Sequence, residues 1–366
     1  MKQKLLLFSL LLSSCVALSQ KRILVFHETN GFRHGSISAG ISMFEDLGNE
    51  NNQWITDNSD DSSVFTATNL ANYDAIVFLN TSGTDETGAD GDLLAASEKQ
   101  AFEDFIASGK GFIGVHAATD TYRDGVWPFY NELVGGIVQT NPNHTSNNFN
   151  ADMTVVAENE VTSFLGAVGA VWNKNEEYYY WKNNGGQLSS GPSANTVLLE
   201  VEQTVGPNGM INDYHEARPI TWLKENLTYN TGSEDVTVSG FRSFYTALGH
   251  NSSDYSSNTN FRTMLKNATL WAIGETLSIG NERAQLFGLV QNPVDNEVEI
   301  TVGSHSSPIY LKVFDTMGKQ LSGETIDSST LVDGTFTNDS STLASGMYIY
   351  QMTVNGRQGI VRVIKR

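Results

Sequence analysis

The sequence predicts an α/β domain with a parallel sheet and helices on both faces, followed by a small all-β sandwich domain. Over most of the chain, short apolar runs alternate with stretches whose apolar residues recur at helical spacing. From Leu286 onward, only strand-like runs separated by turn residues occur. Hydrophobic residues make up 39% of the 366 residues, which is enough for a packed core.

The elements of the α/β domain can be assigned in chain order. Three apolar runs suit buried parallel strands: residues 22–26, 74–79 and 111–115. Two stretches between them have helical spacing: residues 37–47 and 97–108. Gly109 follows the second stretch, where a C-terminal cap is expected. Because strands and helices alternate, the loops at the carboxyl ends of the strands are the expected ligand-binding positions.

The carboxyl-terminal part contains strands and turns without any helical period. Its strand-like runs are residues 298–302, 309–314, 347–354 and 359–364. Residues 286–366 therefore form a predicted β-sandwich, whose length suits a small domain. A polar stretch at residues 277–285 is the predicted linker between the two domains.

The amino-terminal residues 1–19 have the three-part pattern of a secretory signal peptide. Lys2 and Lys4 precede an apolar run, and small residues follow it, so cleavage before Gln20 is the favoured prediction. A lipoprotein-type sequence ending at Cys15 is the alternative, and it would make Cys15 a lipidation site. Since Cys15 is the only cysteine, the mature chain is predicted to lack disulfides, thiolate metal sites and cysteine nucleophiles.

The charge balance excludes several partners. The chain has 41 acidic and 22 basic residues and a net charge of -19, so it has no general attraction for nucleic acid or anionic membranes. Beyond the amino terminus, no apolar stretch approaches the roughly 20 residues of a transmembrane helix.

His116 is the most informative candidate for chemistry. It directly follows the predicted strand 111–115, where hydrolases and class I amidotransferases place a nucleophile on a sharp turn. Histidine is a poor acyl nucleophile, but it serves as a general base or as a metal ligand. The sequence therefore predicts a functional turn without amidotransferase chemistry.

Several sequence blocks, in order, resemble the ThuA-like (trehalose utilisation) family. The blocks are GFRH at 31–34, NTSG at 80–83, GKGFIGVHAATDT at 109–121, WP at 127–128, LVGG at 133–136, Trp172, EEY at 176–178 and FYTALGH at 244–250. The resemblance covers about residues 21–274, and we assign residues 20–276 to this domain. It implies the class I glutamine-amidotransferase-like superfamily, a flavodoxin-like sheet and a role in carbohydrate metabolism, including 3-keto sugars, with no established cofactor.

The resemblance also implies a site, which consists of His34, His116, Asp120, Glu177 and His250. Imidazoles and carboxylates of differing pKa divide general-acid and general-base roles between them. The three histidines His34, His116 and His250 could instead hold a divalent metal. Because the spacing matches no compact signature such as HExxH, the motifs favour the metal-free interpretation and require no cofactor. Both alternatives stay open at this point.

Four further residues are candidates for substrate binding: Arg33, Trp127, Trp172 and Tyr178. Arginine orients sugars or carboxylates through paired hydrogen bonds, and aromatic rings stack on sugars. The two tryptophans are the better stacking candidates because both are predicted to lie in loops. The family's His-Pro-Ile-x-Trp run reads YHEARPITW at 214–222 here, which leaves the equivalent of its histidine unassigned.

The carboxyl-terminal domain has a resemblance of its own, to the type A sorting domains of the type IX secretion system. The blocks that carry it are NPVDNEVEI at 292–300, VFDTMGK at 313–319, LASGMYIY at 343–350 and RVIKR at 362–366. This resemblance implies the type IX secretion machinery as a partner and a secreted or cell-surface location.

Together these observations predict a secreted enzyme, a hydrolase or lyase, that processes a sugar or glycan fragment by histidine and carboxylate chemistry. It is not predicted to be a glutamine amidotransferase, because His116 occupies the position of the nucleophile. The alternative is a non-catalytic carbohydrate-binding surface protein. A cleft lined by tryptophans, with the histidines dispersed, would favour that alternative.

Overall fold

We describe the protein from a computed structural model. It describes residues 20–83, 91–182, 195–275, 287–302, 308–316, 318–327, 331, 334–354 and 357–366. The predicted signal peptide, with Cys15, and the predicted linker at residues 277–285 lie outside these residues. The chain divides into two compact units, Met1–Glu275 and Thr276–Arg366, and each is described by itself.

Within the described residues, the first unit is built on one large sheet of nine strands. In chain order they are β1 (Lys21–Phe26), β2 (Trp54–Ser59), β3 (Ala75–Leu79), β4 (Gly111–Val115), β5 (Phe149–Val155), β6 (Val171–Glu176), β7 (Thr196–Val201), β8 (Arg218–Asn230) and β9 (Asp235–Thr246). Their order across the sheet is β2-β1-β3-β4-β9-β8-β7-β5-β6.

One half of the sheet is parallel, as the sequence predicts. Strands β2, β1, β3, β4 and β9 pair in parallel. Every residue of β3 and β4 is buried, which is typical of strands covered on both faces. The carboxyl ends of these five strands therefore lie at one edge of the sheet.

The other half of the sheet is antiparallel, and the sequence analysis did not assign its strands. Strand β8 pairs antiparallel with β9, and the ladder continues through β7 and β5 to β6. Since the direction reverses four times from β9 to β6, the carboxyl end of β6 lies on the same side as that of β9. Trp172 lies within β6, so the prediction that it occupies a loop is wrong.

Helices cover the sheet. They are α1 (Ile37–Asn49), α2 (Ala67–Leu70), α3 (Ala96–Ala107), α4 (Pro128–Val134), α5 (Ser252–Ser256) and α6 (Thr259–Ala272). Phe112 contacts Phe102 of α3 and Tyr130 of α4, whereas the neighbouring Gly111 lies against Ala272 of α6. Because successive residues of a strand point to opposite faces, helices lie on both faces of the sheet.

Local signals set the ends of the helices. The Glu98 carboxylate accepts a hydrogen bond from the Ala95 N–H (2.7 Å) at the start of α3. After α3, Gly109 has a φ of 88°, a left-handed conformation that suits glycine at the end of a helix. Helix α3 begins and ends one residue before the predicted stretch.

The second unit contains two antiparallel sheets in its described residues. The strands are β10 (Phe287–Leu289), β11 (Glu297–Val302), β12 (Ile309–Asp315), β13 (Gln320–Ile326), β14 (Thr335–Asp339), β15 (Gly346–Val354) and β16 (Arg357–Lys365). Strands β10, β11 and β14 form one sheet, and β13, β12, β15 and β16 form the other. Side chains from both sheets, such as Ile300 and Leu311, share one hydrophobic core. Among the described residues of the whole chain, no helix is long and apolar enough to cross a membrane.

Candidate functional site

Four side chains from separate loops converge at one edge of the large sheet. Each offers one ligand atom, and these atoms all lie within 4.8 Å of one another; the residues are His34, His116, Glu177 and His250. They follow strands β1, β4, β6 and β9, whose carboxyl ends point the same way. We call these four residues the central cluster. It contains four of the five residues in the predicted site.

The backbone turns sharply at His116, directly after β4. His116 has a φ of 48°, a left-handed conformation that costs a residue with a side chain about 1–3 kcal/mol. A 3₁₀ helix, His116–Asp120, begins at this residue. The turn therefore has the shape that the sequence predicts, and it places the imidazole at the end of the sheet.

The surroundings of His116 fix its orientation. Its Nδ1 lies 2.7 Å from the Ala247 carbonyl oxygen, so Nδ1 carries a proton. Its Nε2 lies 3.3 Å from Glu177 Oε2 and 3.2 Å from the Tyr179 hydroxyl. The Tyr179 ring stacks on the imidazole with their centres 4.7 Å apart. As a result, Nε2 is the nitrogen that His116 presents to the central cluster.

The other two imidazoles contact His116 edge to face. The His34 ring centre lies 4.8 Å from that of His116 and 5.4 Å from that of His250. Burial, followed by the charge of His116, lowers the pKa of His34 to about 3, so this imidazole is neutral at ordinary pH. Its Nδ1 is buried and has no hydrogen-bond partner among the described residues.

Glu177 holds the histidines together through both carboxylate oxygens. Oε2 lies 3.3 Å from His116 Nε2 and 3.4 Å from His250 Nδ1. Oε1 lies 3.2 Å from Nδ1 of His144, a residue that the sequence analysis did not place in the site. His144 reaches Glu177 because its loop forms a β-bridge with Tyr179.

The pKa values of Glu177 and His116 shift in opposite directions. Burial alone would raise the pKa of Glu177, but hydrogen bonds with His116 and His250 outweigh it and lower that pKa. Burial alone would lower the pKa of His116, but the Glu177 hydrogen bond and the nearby Glu176 charge raise it. In the absence of a bound cation, His116 and Glu177 therefore form a buried ion pair.

A second buried group of charges lies directly behind the central cluster. Lys174 Nζ lies 2.6 Å from Glu176 Oε2 and 2.7 Å from Asp254 Oδ1. Burial and the charge of Glu176 raise the pKa of Asp254 to about 6. With Asp254 ionised, three carboxylates face the Lys174 ammonium and the protonated His116, which leaves one negative charge at this edge of the sheet. The excess becomes two negative charges when His116 gives up its proton to act as a ligand.

Asp120 and Arg33 lie outside the central cluster. The Asp120 carboxylate pairs with Arg123 (2.8 Å), at the end of the turn that His116 begins. The Arg33 guanidinium donates to the His27 carbonyl oxygen (3.0 Å) and to the Thr29 hydroxyl (3.3 Å) of its own loop. Arg33 therefore orders the loop that carries His34.

The three aromatic candidates for substrate stacking are buried. Trp127 packs against Tyr122 and Tyr130, and its indole N–H donates to Glu103 (2.7 Å). Trp172 is 8% exposed and lies in β6, and Tyr178 is fully buried with its hydroxyl bonded to the Lys174 carbonyl oxygen. None of these three rings presents an open face to a ligand, which corrects the expectation from sequence.

The run at residues 214–222 contributes no ligand atom to the central cluster. Arg218 directly precedes Pro219, and its Nε donates to the Tyr179 carbonyl oxygen (2.7 Å). His215 lies outside the central cluster, because its Nδ1 accepts a hydrogen bond from the Asn212 N–H (2.8 Å). Arg218 therefore supports the segment that carries Tyr179, and His215 caps a local turn.

The central cluster fits a divalent cation. Neighbouring ligand atoms lie about 3.4 Å apart in a tetrahedral site with bonds of about 2.0–2.1 Å. Glu177 Oε2 lies 3.3 Å from His116 Nε2 and 3.4 Å from His250 Nδ1, which matches this ligand-to-ligand distance. The four ligand atoms lie within 4.8 Å of one another, a wider spread than in a closed tetrahedral site, so an ion would draw the side chains together. The net negative charge of these groups also suits a cation, as does His34 Nδ1, which has no hydrogen-bond partner among the described residues.

Comparison with known proteins identifies the second unit first. Residues 292–366 match the family of secretion system C-terminal sorting domains, so the protein is secreted or located at the cell surface. No protein among the curated sequences matches the chain significantly.

The first unit matches a family model over most of its length. The ThuA family, described as trehalose utilisation, matches residues 22–272. A ThuA-like protein from Bacteroides uniformis has 18% identity and a TM-score of 0.50, with 69% of this chain and 91% of that chain covered. A ThuA-like protein from Parabacteroides merdae has 15% identity and a TM-score of 0.49, with 72% and 94% covered. At such identity the first similarity shows the fold alone. The family model, in contrast, matches more than half of the chain, and the chain therefore belongs to the ThuA family.

Proposed function

We propose that this secreted ThuA-family protein is an enzyme that processes a sugar or glycan fragment at a divalent-metal centre formed by the central cluster. The observation that carries the proposal is the convergence of four ligand atoms within 4.8 Å, each from a different loop. Three histidines and one carboxylate are a ligand set that suits zinc and related divalent ions. A bound ion would supply Lewis-acid chemistry at a sugar carbonyl or hydroxyl group.

The residues of the chain have separate tasks in this proposal. The Ala247 carbonyl oxygen holds the proton of His116 on Nδ1, which leaves Nε2 free to act as a ligand. Glu177 uses Oε2 as a ligand and keeps Oε1 on His144, which restrains the orientation of the carboxylate. The Tyr179 hydroxyl, close to His116 Nε2, is placed to donate a hydrogen bond to a substrate oxygen.

The exposed side of the central cluster supports a sugar as the ligand. The side chains of His144 and His250 are 25% and 15% exposed, whereas that of His116 is fully buried, so the substrate approaches past the first two. Phe32 is 67% exposed, and its ring centre lies 4.9 Å from that of His34. An exposed ring beside polar groups suits the apolar face of a sugar. The trehalose utilisation family also favours a carbohydrate.

A metal-free acid–base centre is the second candidate. The pKa values of two imidazoles favour it: that of His34 is lowered, and that of His116 is raised. Such a pair divides the roles of base and acid at neutral pH. Amidotransferase chemistry is not proposed, since histidine occupies the nucleophile's turn. A purely binding role is also not proposed, because the predicted stacking tryptophans are buried.

The test is turnover of sugars by the full chain with and without metal. Chelator-treated protein is incubated with trehalose and with 3-keto disaccharides, alone and after addition of Zn²⁺ or Mn²⁺, and products are separated by chromatography. We expect turnover only with added metal, its loss in His116→Ala, and its retention in His215→Ala. Equal turnover without metal would favour the acid–base centre. Sugar binding without turnover in any form would contradict the proposed enzyme.

A further inference from the structure

We propose that Glu176 is a positioning residue of the central cluster, which fixes the two loops that carry Glu177 and His250 through their backbone N–H groups. The inference rests on the proposed function, which assigns Glu177 and His250 as ligands. Both residues lie in loops beyond the end of a strand, so the pairing of strands does not by itself fix their backbones. A group that holds both backbones at once would preset their separation.

Glu176 contacts both loops with one carboxylate. Oε1 accepts hydrogen bonds from the N–H groups of Glu177 (3.0 Å) and His250 (3.2 Å). Oε2 accepts from the Gly249 N–H (2.9 Å) and from Lys174 Nζ (2.6 Å). Four donors satisfy this fully buried carboxylate, which has room for about four. The carboxylate therefore bridges the end of β6 and the loop after β9.

Lys174 and Asp254 extend these contacts to the backbone of Asn251. Lys174 Nζ also contacts Asp254 Oδ1 (2.7 Å), and Asp254 Oδ2 accepts from the Asn251 N–H (3.2 Å) at the start of α5. Lys174 and Asp254 are each only 5% exposed. Burying a charge costs several kcal/mol unless the charge is paired and hydrogen-bonded. Removing one of these charged side chains would therefore leave its partner buried and unpaired, and would destabilise the fold. The loop between β9 and α5 is therefore held along three consecutive residues, Gly249 to Asn251.

The conformation of the loop between β9 and α5 agrees with a fixed backbone. We call the contacts of Glu176 with this loop the clamp. Gly249 has a φ of 117°, and a Cβ atom there would lie 2.5 Å from the Tyr255 hydroxyl. The Tyr255 hydroxyl donates to the Gly249 carbonyl oxygen (2.9 Å) while Glu176 accepts from its N–H. Both backbone polar groups of Gly249, the residue before His250, are thus fixed by side chains from other elements. Residues outside the ligand set therefore restrain the loop that carries His250.

The test is the zinc affinity of Glu176→Gln in the full chain, measured by titration of Zn²⁺ into chelator-treated protein. The amide preserves the shape but places an NH₂ group against donors, so we expect affinity to fall about 10- to 100-fold. The matched control is Glu132→Gln. Glu132 is a buried glutamate 3.1 Å from Lys224 Nζ, at the contact of α4 with β8. We expect that variant to keep the wild-type affinity. An unchanged affinity in Glu176→Gln, or an equal loss in both variants, would overturn the proposal.

A measurement on the wild type covers the case in which Glu176→Gln does not fold. Amide hydrogen exchange of the metal-free full chain should show slow exchange at Gly249 and His250, comparable to that of the central strands. Fast exchange that becomes slow only after Zn²⁺ is added would overturn the clamp, because the ion would then be ordering the loop. A wild type that binds no Zn²⁺ refutes the proposed metal centre, whereas the exchange rates still decide the role of Glu176.

Discussion

His34 should make the first unit sensitive to acid. The folded protein keeps this imidazole neutral, with a pKa lowered from 6.5 to about 3 chiefly by burial, whereas the unfolded chain takes up a proton near pH 6.5. Stability falls with decreasing pH wherever the unfolded state binds more protons. His34→Gln removes the titrating group, so the variant should lose less stability on acidification than the wild type.

The magnitude follows from the two pKa values. At pH 5 the unfolded chain is about 1.5 pH units below its imidazole pKa, and each unit corresponds to about 1.4 kcal/mol. The His34 contribution therefore costs about 2 kcal/mol between pH 7 and pH 5. The ion pair of Glu177 with His116 is present in the wild type and in the variant, so most of its contribution cancels in the comparison.

Urea unfolding followed by tryptophan fluorescence measures this effect in the full chain. All six tryptophans lie in the first unit, so the signal reports that unit alone. With a chelator present, the loss of unfolding free energy from pH 7 to pH 5 should be about 2 kcal/mol smaller in His34→Gln than in the wild type. Equal losses would refute the reasoning, because His34 would then titrate in the folded protein as it does in the unfolded chain.

Three further outcomes are expected. Free Zn²⁺ at 100 times its dissociation constant should stabilise the first unit by about 2.7 kcal/mol, which calorimetry checks. Tyr179→Phe removes the hydroxyl 3.2 Å from His116 Nε2, which is placed to donate to a substrate oxygen, and should lower turnover about fivefold, or about 1 kcal/mol, without weakening zinc binding. Tyr180→Phe should change neither. Gly249→Ala should destabilise the protein more than Gly232→Ala does. Both glycines have positive φ, but only at Gly249 would the new methyl group meet a neighbour, at 2.5 Å; urea unfolding compares them.

The sequence predicted the parallel half of the sheet, and it pointed to four residues that the structure brings together, for physical reasons. Apolar runs covered on both faces are recognisable as strands, and the turn after β4 places His116 at a strand end. The sequence blocks that resemble the ThuA family contain His34, Glu177 and His250, and the structure brings these together with His116. The sequence did not by itself indicate the pairing of Glu177 with His144, which depends on a bridge between two loops.

The residues that sequence analysis missed share one property. Lys174 and Glu176 lie in β6, whose alternating burial would suit an ordinary strand with one exposed face, and charged residues on such strands are expected to face solvent. Here the buried face of β6 carries Trp172, Lys174 and Glu176, and the charges are neutralised by Asp254 and by backbone groups far away in sequence. Trp172 was misassigned to a loop for the same reason. Only the long-range pairing reveals these roles.

X-ray absorption spectroscopy of the zinc-loaded full chain tests the central claim most directly. The account predicts one zinc ion with three imidazole ligands and one carboxylate ligand at about 2.0–2.1 Å. Imidazole scattering should be weaker in His116→Ala and in His250→Ala, and unchanged in His215→Ala. A spectrum without imidazole ligands, or one that is unchanged in His116→Ala, would contradict the assignment of the central cluster as a metal centre.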